Sequence, residues 1–198
     1  MLVEIVDPDP AWPRSFDALR DEIARTPGAV AIEHVGSTSV RGLAAKPVID
    51  VMIGVRDASI LDANGDEPWA PTNTHSLACA GSAAHVALVE FLTARGFVYR
   101  SHADLPEQLL LRRDVSGRRA HHLHVARIGS AYWDEHLLFR DYLRAHAPRA
   151  HRYGELKREI ARVHRESVPY MHAKSAFIAE TLALARAWRA ATAASPAR

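Results

Sequence analysis

The chain has 198 residues, of which 48% are hydrophobic, and a formal charge of only +2. Such a length and apolar share support a sizeable core and exclude wholesale disorder, while so small a charge leaves no electrostatic footprint for nucleic acid. Cys79 is the lone cysteine, which rules out an intrachain disulfide; the start has no basic, apolar leader and no apolar run is long enough to span a bilayer, so a soluble cytoplasmic protein without a membrane span is expected.

Leu2 to Val6 reads as a short strand ended by Asp-Pro-Asp-Pro. Trp12, Phe16, Leu19 and Ile23 then recur at steps of four, three and four, the apolar stripe of an amphipathic helix, with Pro13 in its first turn and Pro27-Gly28 as its stop. Val30 to Val35 is strand-like and ends at Gly36-Ser37. Pro47 to Val55 is the clearest strand, with Ile49, Val51, Ile53 and Val55 on one side and Val48, Asp50, Met52 and Gly54 on the other. Asp50 is therefore expected on a face that opens to a cleft.

Asp57 to Ser82 is rich in turn residues and reads as a long loop. Ala83 to Arg95 is a helix stopped by Gly96, and Phe97 to Arg100 a short strand. Gln108 to Asp114 and Ala120 to Arg127 form a hairpin around Val-Ser-Gly-Arg-Arg. Beyond Ser130 the pattern turns helical. Asp134 to His146 is one helix, broken before Pro148; Tyr153, Leu156, Ile160 and Val163 mark a second; a third runs from Pro169 to about Ala190. Mixed strands and helices followed by helices indicate an α+β fold with a mixed sheet.

Four features carry chemistry. The Gly36-Ser37-Thr38 turn after a strand offers backbone N–H groups and hydroxyls to a phosphate. Asp50, a carboxylate in an aliphatic strand, needs a partner: a salt bridge, backbone donors, or a divalent ion that also binds substrate phosphates. His122 and His124 lie two apart, on one face of their strand, where two imidazoles can ligate a metal, contact phosphate or carry protons. Arg112 and Arg113 on the facing strand point to opposite faces, so one of them can join the histidines. Of 25 basic residues 22 are arginines, which leaves Lys46, Lys157 and Lys174 as the lysines; Lys174 falls near the buried stripe of the last helix, one turn after Tyr170.

The stretch Glu33 to Val51, EHVGSTSVRGLAAKPVIDV, resembles the signature of the bacterial GrpB family, and so do VDPDPAWPRSFDALRDEI, AHHLHV, LLFRDYLRAHAPRAHRYGELK and YMHAKSAFI. The resemblance covers most of the chain apart from 57–82. It implies a single domain over 1–198, with a nucleotidyltransferase-like core over 1–130 and a helical part over 131–198. The wider group implied, the polymerase-β-like nucleotidyltransferases, has a Gly-Ser pair followed by two acids flanking one residue. Gly36-Ser37 and Asp50 fit this pattern, but Met52 stands where the second acid belongs. Val40-Arg41-Gly42 also departs from the family's Val-Pro-Gly, adding a cation.

The resemblance implies a nucleotide or phosphorylated small molecule as ligand and a divalent Mg²⁺ or Mn²⁺ as cofactor. Asp50, His122 and His124 would hold the metal and carry the chemistry. Gly36, Ser37, Thr38, Lys46, Arg112 and Lys174 would bind phosphate, with His34 and Tyr170 as weaker candidates. The expected activity is transfer of a nucleotidyl group to a small acceptor. The alternative is a non-catalytic binding or regulatory module on a degraded transferase fold, and a hydrolase using the histidines ranks third.

Overall fold

The computed structural model describes residues 3–61, 81–100 and 108–194. Leu2, Cys79, most of the expected 57–82 loop and the last four residues lie outside them. The helices are α1 (Trp12–Ile23), α2 (Ala83–Thr93), α3 (Ala131–Ala145), α4 (Ala147–Val163), α5 (Ser167–Ala173) and α6 (Ser175–Ala194). The strands are β1 (Ala29–Val35), β2 (Ile49–Val55), β3 (Val98–Arg100), β4 (Gln108–Val115) and β5 (Arg118–Arg127), in the sheet order β1-β2-β5-β4-β3. The fold is α+β with a mixed sheet, as the element pattern indicates. Among the described residues no helix is long and apolar enough to cross a membrane.

The described chain forms two compact units that interleave in sequence, one of residues 1–15, 34–50 and 134–198 and one of residues 16–33 and 51–133. The second unit carries most of the sheet. Its β4–β5 hairpin turns on Ser116 and Gly117, both at positive φ (51° and 75°), the two-residue geometry that matches strand twist. The antiparallel register sets Arg112 opposite His122, Leu110 opposite His124 and Arg113 opposite His121, so Arg112 shares a face with the histidine pair. Arg113 turns to the other face, where it grips Glu22 through two hydrogen bonds of 2.6 and 2.9 Å and lies over the Phe97 ring. Its Nε donates to His121 Nδ1 at 3.3 Å. Burial, with the guanidinium's charge, pushes His121 down to about 4, so it stays a neutral acceptor. Ser82 caps α2, its hydroxyl accepting from the His85 N–H at 3.1 Å.

In the first unit Val40, Leu43, Leu143, Ala150 and Tyr153 form a buried cluster, joined by Phe139, Leu156, Phe177 and Ile178. Leu143 and Ala150 come from α3 and α4, so the helices' apolar stripes close on the segment after the Gly36 turn.

Several sequence expectations are corrected. The first strand reduces to an isolated bridge between Val6 and Ala45. β2 starts at Ile49, because the Val48 N–H turns back to the Lys46 carbonyl at 2.8 Å. Its supposedly open face is closed beyond Asp50: Met52 is fully buried, and a Cβ on Gly54 would lie 2.7 Å from the Trp133 ring. Val163 lies at the end of α4, 75% exposed rather than on its buried stripe. The long C-terminal helix is two helices, α5 and α6, that meet at Lys174.

Candidate functional site

β1 ends at Val35 and Gly36 turns the chain, with φ 68° and ψ −171°, a conformation that glycine adopts without strain. A second constraint also selects glycine. A Cβ at this position would lie 2.9 Å from Cβ and Cγ of Asp50 and nearer still to Oδ2. The missing side chain is therefore what lets the carboxylate rest against the turn. Ser37–Ser39 follow as a short 3-10 turn, closed by the Ser39 hydroxyl donating to the Gly36 carbonyl at 2.6 Å.

His34 and Thr38 brace the turn from inside. Both are buried, at 7% and 3% exposure. The Thr38 hydroxyl donates its one proton to the Val48 carbonyl at 3.2 Å, so the His34 nitrogen 3.1 Å away must be the donor to Thr38 Oγ1. The Arg140 guanidinium donates to the His34 carbonyl at 3.2 Å. Thr38, expected to present its hydroxyl to phosphate, instead spends it on tying the turn to the segment before β2.

Ser37 is engaged differently. Its Oγ accepts a 2.8 Å hydrogen bond from Nζ of Lys157, which is only 2% exposed. Burial, together with repulsion from Lys174 and Lys46, pushes the Lys157 ammonium down to about 7, and the Asp50 charge opposes the fall. Lys174 is held below its ordinary range by burial and by Lys46, again against the pull of Asp50. Lys46 and Lys174 both lie over the ring of buried Tyr170, 5.5 and 5.3 Å from its centroid, and Lys157 lies 4.6 Å from that of Tyr153. Burial raises both phenols, so each remains a neutral hydroxyl. Asp50 thus acts on both Lys157 and Lys174, and Lys46 acts on the same two groups, so the three lysines of the chain cluster within the first unit.

The histidines lie on β5. His124 Nδ1 lies 2.9 Å from the Tyr132 hydroxyl and 3.3 Å from Gln108 Oε1. These two contacts fix the orientation of the His124 ring. His122 Nε2 accepts from the Arg119 guanidinium at 3.2 Å, and Asp114 holds Arg119 from its other edge. Asp50 is the second residue of β2, and β5 is the neighbouring strand in the sheet. One carboxylate with two imidazoles suits Mn²⁺, Fe²⁺ or Zn²⁺ better than Mg²⁺, which prefers an all-oxygen shell.

Four of these residues escaped the sequence reading as site members: Lys157, Gln108, Arg119 and Tyr132. For Lys157 a signal existed. It stands four residues after Tyr153 and three before Ile160, on the stripe that α4 buries, and a lysine there is out of place. Nothing local marks the other three, which matter only through the strand register and the α3 start.

A family profile described as GrpB protein matches residues 2–67 and 77–184. UPF0157 protein YqkA of Bacillus subtilis is 28% identical over 94% of this chain and 48% of its own length. UPF0157 protein PA4798 of Pseudomonas aeruginosa is 33% identical over 81% of this chain and 57% of its own, so the chain spans about half the length of these two relatives. The crystal structure of the conserved protein GrpB from Enterococcus faecalis overlays with a TM-score of 0.69 at 29% identity, covering 93% of this chain and 99% of that one. Overlap with Cid1, an RNA terminal uridylyl transferase, is lower, a TM-score of 0.41 at 14% identity over 70% of this chain and 36% of that one, too low to assign a fold. With a profile spanning most of its residues and a family structure sharing its fold, the chain belongs to the GrpB family.

Proposed function

We propose that this protein binds a nucleotide or another small phosphate-rich ligand at the Gly36-Ser37 turn, together with one divalent cation, and transfers a nucleotidyl group from it to a small acceptor. The observation that carries the reading is the cluster of Lys46, Lys157 and Lys174, in which Asp50 acts on Lys157 and Lys174 and Lys157 reaches Ser37. Three amines share this buried neighbourhood with one carboxylate, positive charge is costly enough there that Lys157 gives up its proton near neutrality, and a polyphosphate would stabilise all three in the charged form. Asp50, His122 and His124 would hold the cation, being a carboxylate and two imidazoles of one strand face, with His122 exchanging its contact with Arg119 for the ion; the metal would neutralise phosphate charge. Arg112 shares the histidines' face and would add a further phosphate contact. Gly36 admits the close approach, and Ser37 would pass its hydrogen bond from Lys157 to a phosphate oxygen.

The test is titration of ATP into the full chain by calorimetry, with and without Mn²⁺, for the wild type and Asp50→Ala. Binding that requires the metal in the wild type and loses that requirement in the variant is expected. Metal-dependent binding unchanged in Asp50→Ala overturns the metal assignment.

A second reading, a binding module without turnover, draws on Met52. That position is fully buried, so the face of β2 offers no second carboxylate to a two-metal site. Pyrophosphate release, assayed across the four ribonucleoside triphosphates with varied acceptors, separates the readings: turnover under any condition rejects the module.

A further inference from the structure

A groove of about 470 Å³ opens elsewhere in the first unit, and none of the phosphate or metal residues above lines it. Arg41, Arg144 and His151 line it together with Leu143, Ala147 and Ala150, with no carboxylate among the described lining residues. Arg144 is fixed in place: its Nε donates to the Ser39 carbonyl at 3.0 Å, while Asp141 lies 3.8 Å from its Nη1. His151 has Glu155 at 3.7 Å on the side of its own helix. Arg41 is exposed and follows the turn by two residues, on a segment whose next position, Gly42, has φ 78° and open space around it. The apolar lining residues come from the end of α3 and the first turn of α4, whose N-terminal peptide dipoles favour negative charge nearby. Basic and apolar side chains lining one groove of this volume suit a small molecule.

We propose that this groove is a second binding site, for a small organic anion whose carboxylate or phosphate head meets Arg41 and Arg144 while its carbon chain lies on Leu143, Ala147 and Ala150. The proposal does not depend on the nucleotide reading, since no residue is shared. A guanidinium pair engages either head group, and Arg144 is already oriented by its bond to Ser39, so part of the entropic cost of ordering it is met before the ligand arrives.

Calorimetric titration of the full chain with sn-glycerol 3-phosphate and, separately, with glutarate tests the site and tells the phosphate source from the carboxylate source by which probe binds more tightly. Three variants accompany the wild type. Arg41→Ser removes an exposed cation, Ala147→Phe fills the groove from an exposed helix position, and Lys157→Met disables the other anion site. Circular dichroism and thermal melting establish that each is folded. The expected result is saturable one-to-one binding of at least one probe, weakened about tenfold by Arg41→Ser and by Ala147→Phe and changed less than about twofold by Lys157→Met. No saturation of the wild type by either probe up to about 20 mM overturns the proposal. So does binding that survives in Arg41→Ser or in Ala147→Phe, or that disappears in Lys157→Met.

Discussion

Replacing Lys157 by methionine isolates the most informative group in the molecule. Burial holds its ammonium at about 7, against an ordinary value of 10.5. Between those values the unfolded chain carries a proton that the folded chain lacks, so stability must rise with pH across this window. Below about pH 7 both states are protonated and the full penalty of the buried charge is present. For a single group with these two constants, the gain from pH 7 to pH 9 is about 2 kcal/mol. Methionine keeps the length of the stem against Tyr153 and cannot be charged, so the variant loses this rise and gains stability relative to wild type as pH falls. Urea denaturation of both proteins at several pH values from 7 to 9 measures the effect, read as the difference between their midpoints multiplied by the slope. Parallel stability curves for the two proteins over that range would refute the reasoning, because they would mean that Lys157 is no harder to charge in the folded chain than in water.

Three further outcomes follow from the same geometry. A polyphosphate at the turn restores the Lys157 charge, so ATP binding at pH 8 should take up close to one proton; calorimetry in buffers of different ionisation enthalpy reads this directly, and binding heats independent of buffer would contradict it. Gly36→Ala should lower stability by about 1–3 kcal/mol and abolish Mn²⁺ binding, since the new methyl collides with Asp50 and must adopt a left-handed backbone; thermal melting and metal titration check the two effects separately. Arg113→Lys should cost about 1–2 kcal/mol without altering ATP binding, because an ammonium cannot reproduce the two-pronged contact with Glu22 and that residue faces away from the histidines.

Much of the architecture was legible from periodicity. The stripe of Trp12, Phe16, Leu19 and Ile23 is buried at every position, and the alternation across β4 and β5 put His122 and His124 on one face. Both depend on patterns a few residues long. Thr38 was misjudged because its surroundings are non-local: a hydroxyl in a turn looks available until the Val48 carbonyl, ten residues on, is found to hold it. The break at Lys174 carries no glycine or proline to announce it. Lys157 shows the other limit. Its place on a buried stripe was readable, but what its ammonium meets, Ser37 at a separation of 120 residues, is a property of the folded chain alone.

The interleaving of the two units governs how this protein can be dissected. Gly36, Ser37 and Asp50 enter from the front half of the chain, whereas Lys157, Tyr170 and Lys174 arrive more than a hundred residues later. A fragment cut after the sheet would retain the bend and the acid yet discard two of the three cations, together with the aromatic ring that seats them. The trailing helices thus supply Lys157, Lys174 and the Tyr170 ring to the bend, and a shortened version meant to test the proposed anion binding needs residues from both halves of the polypeptide.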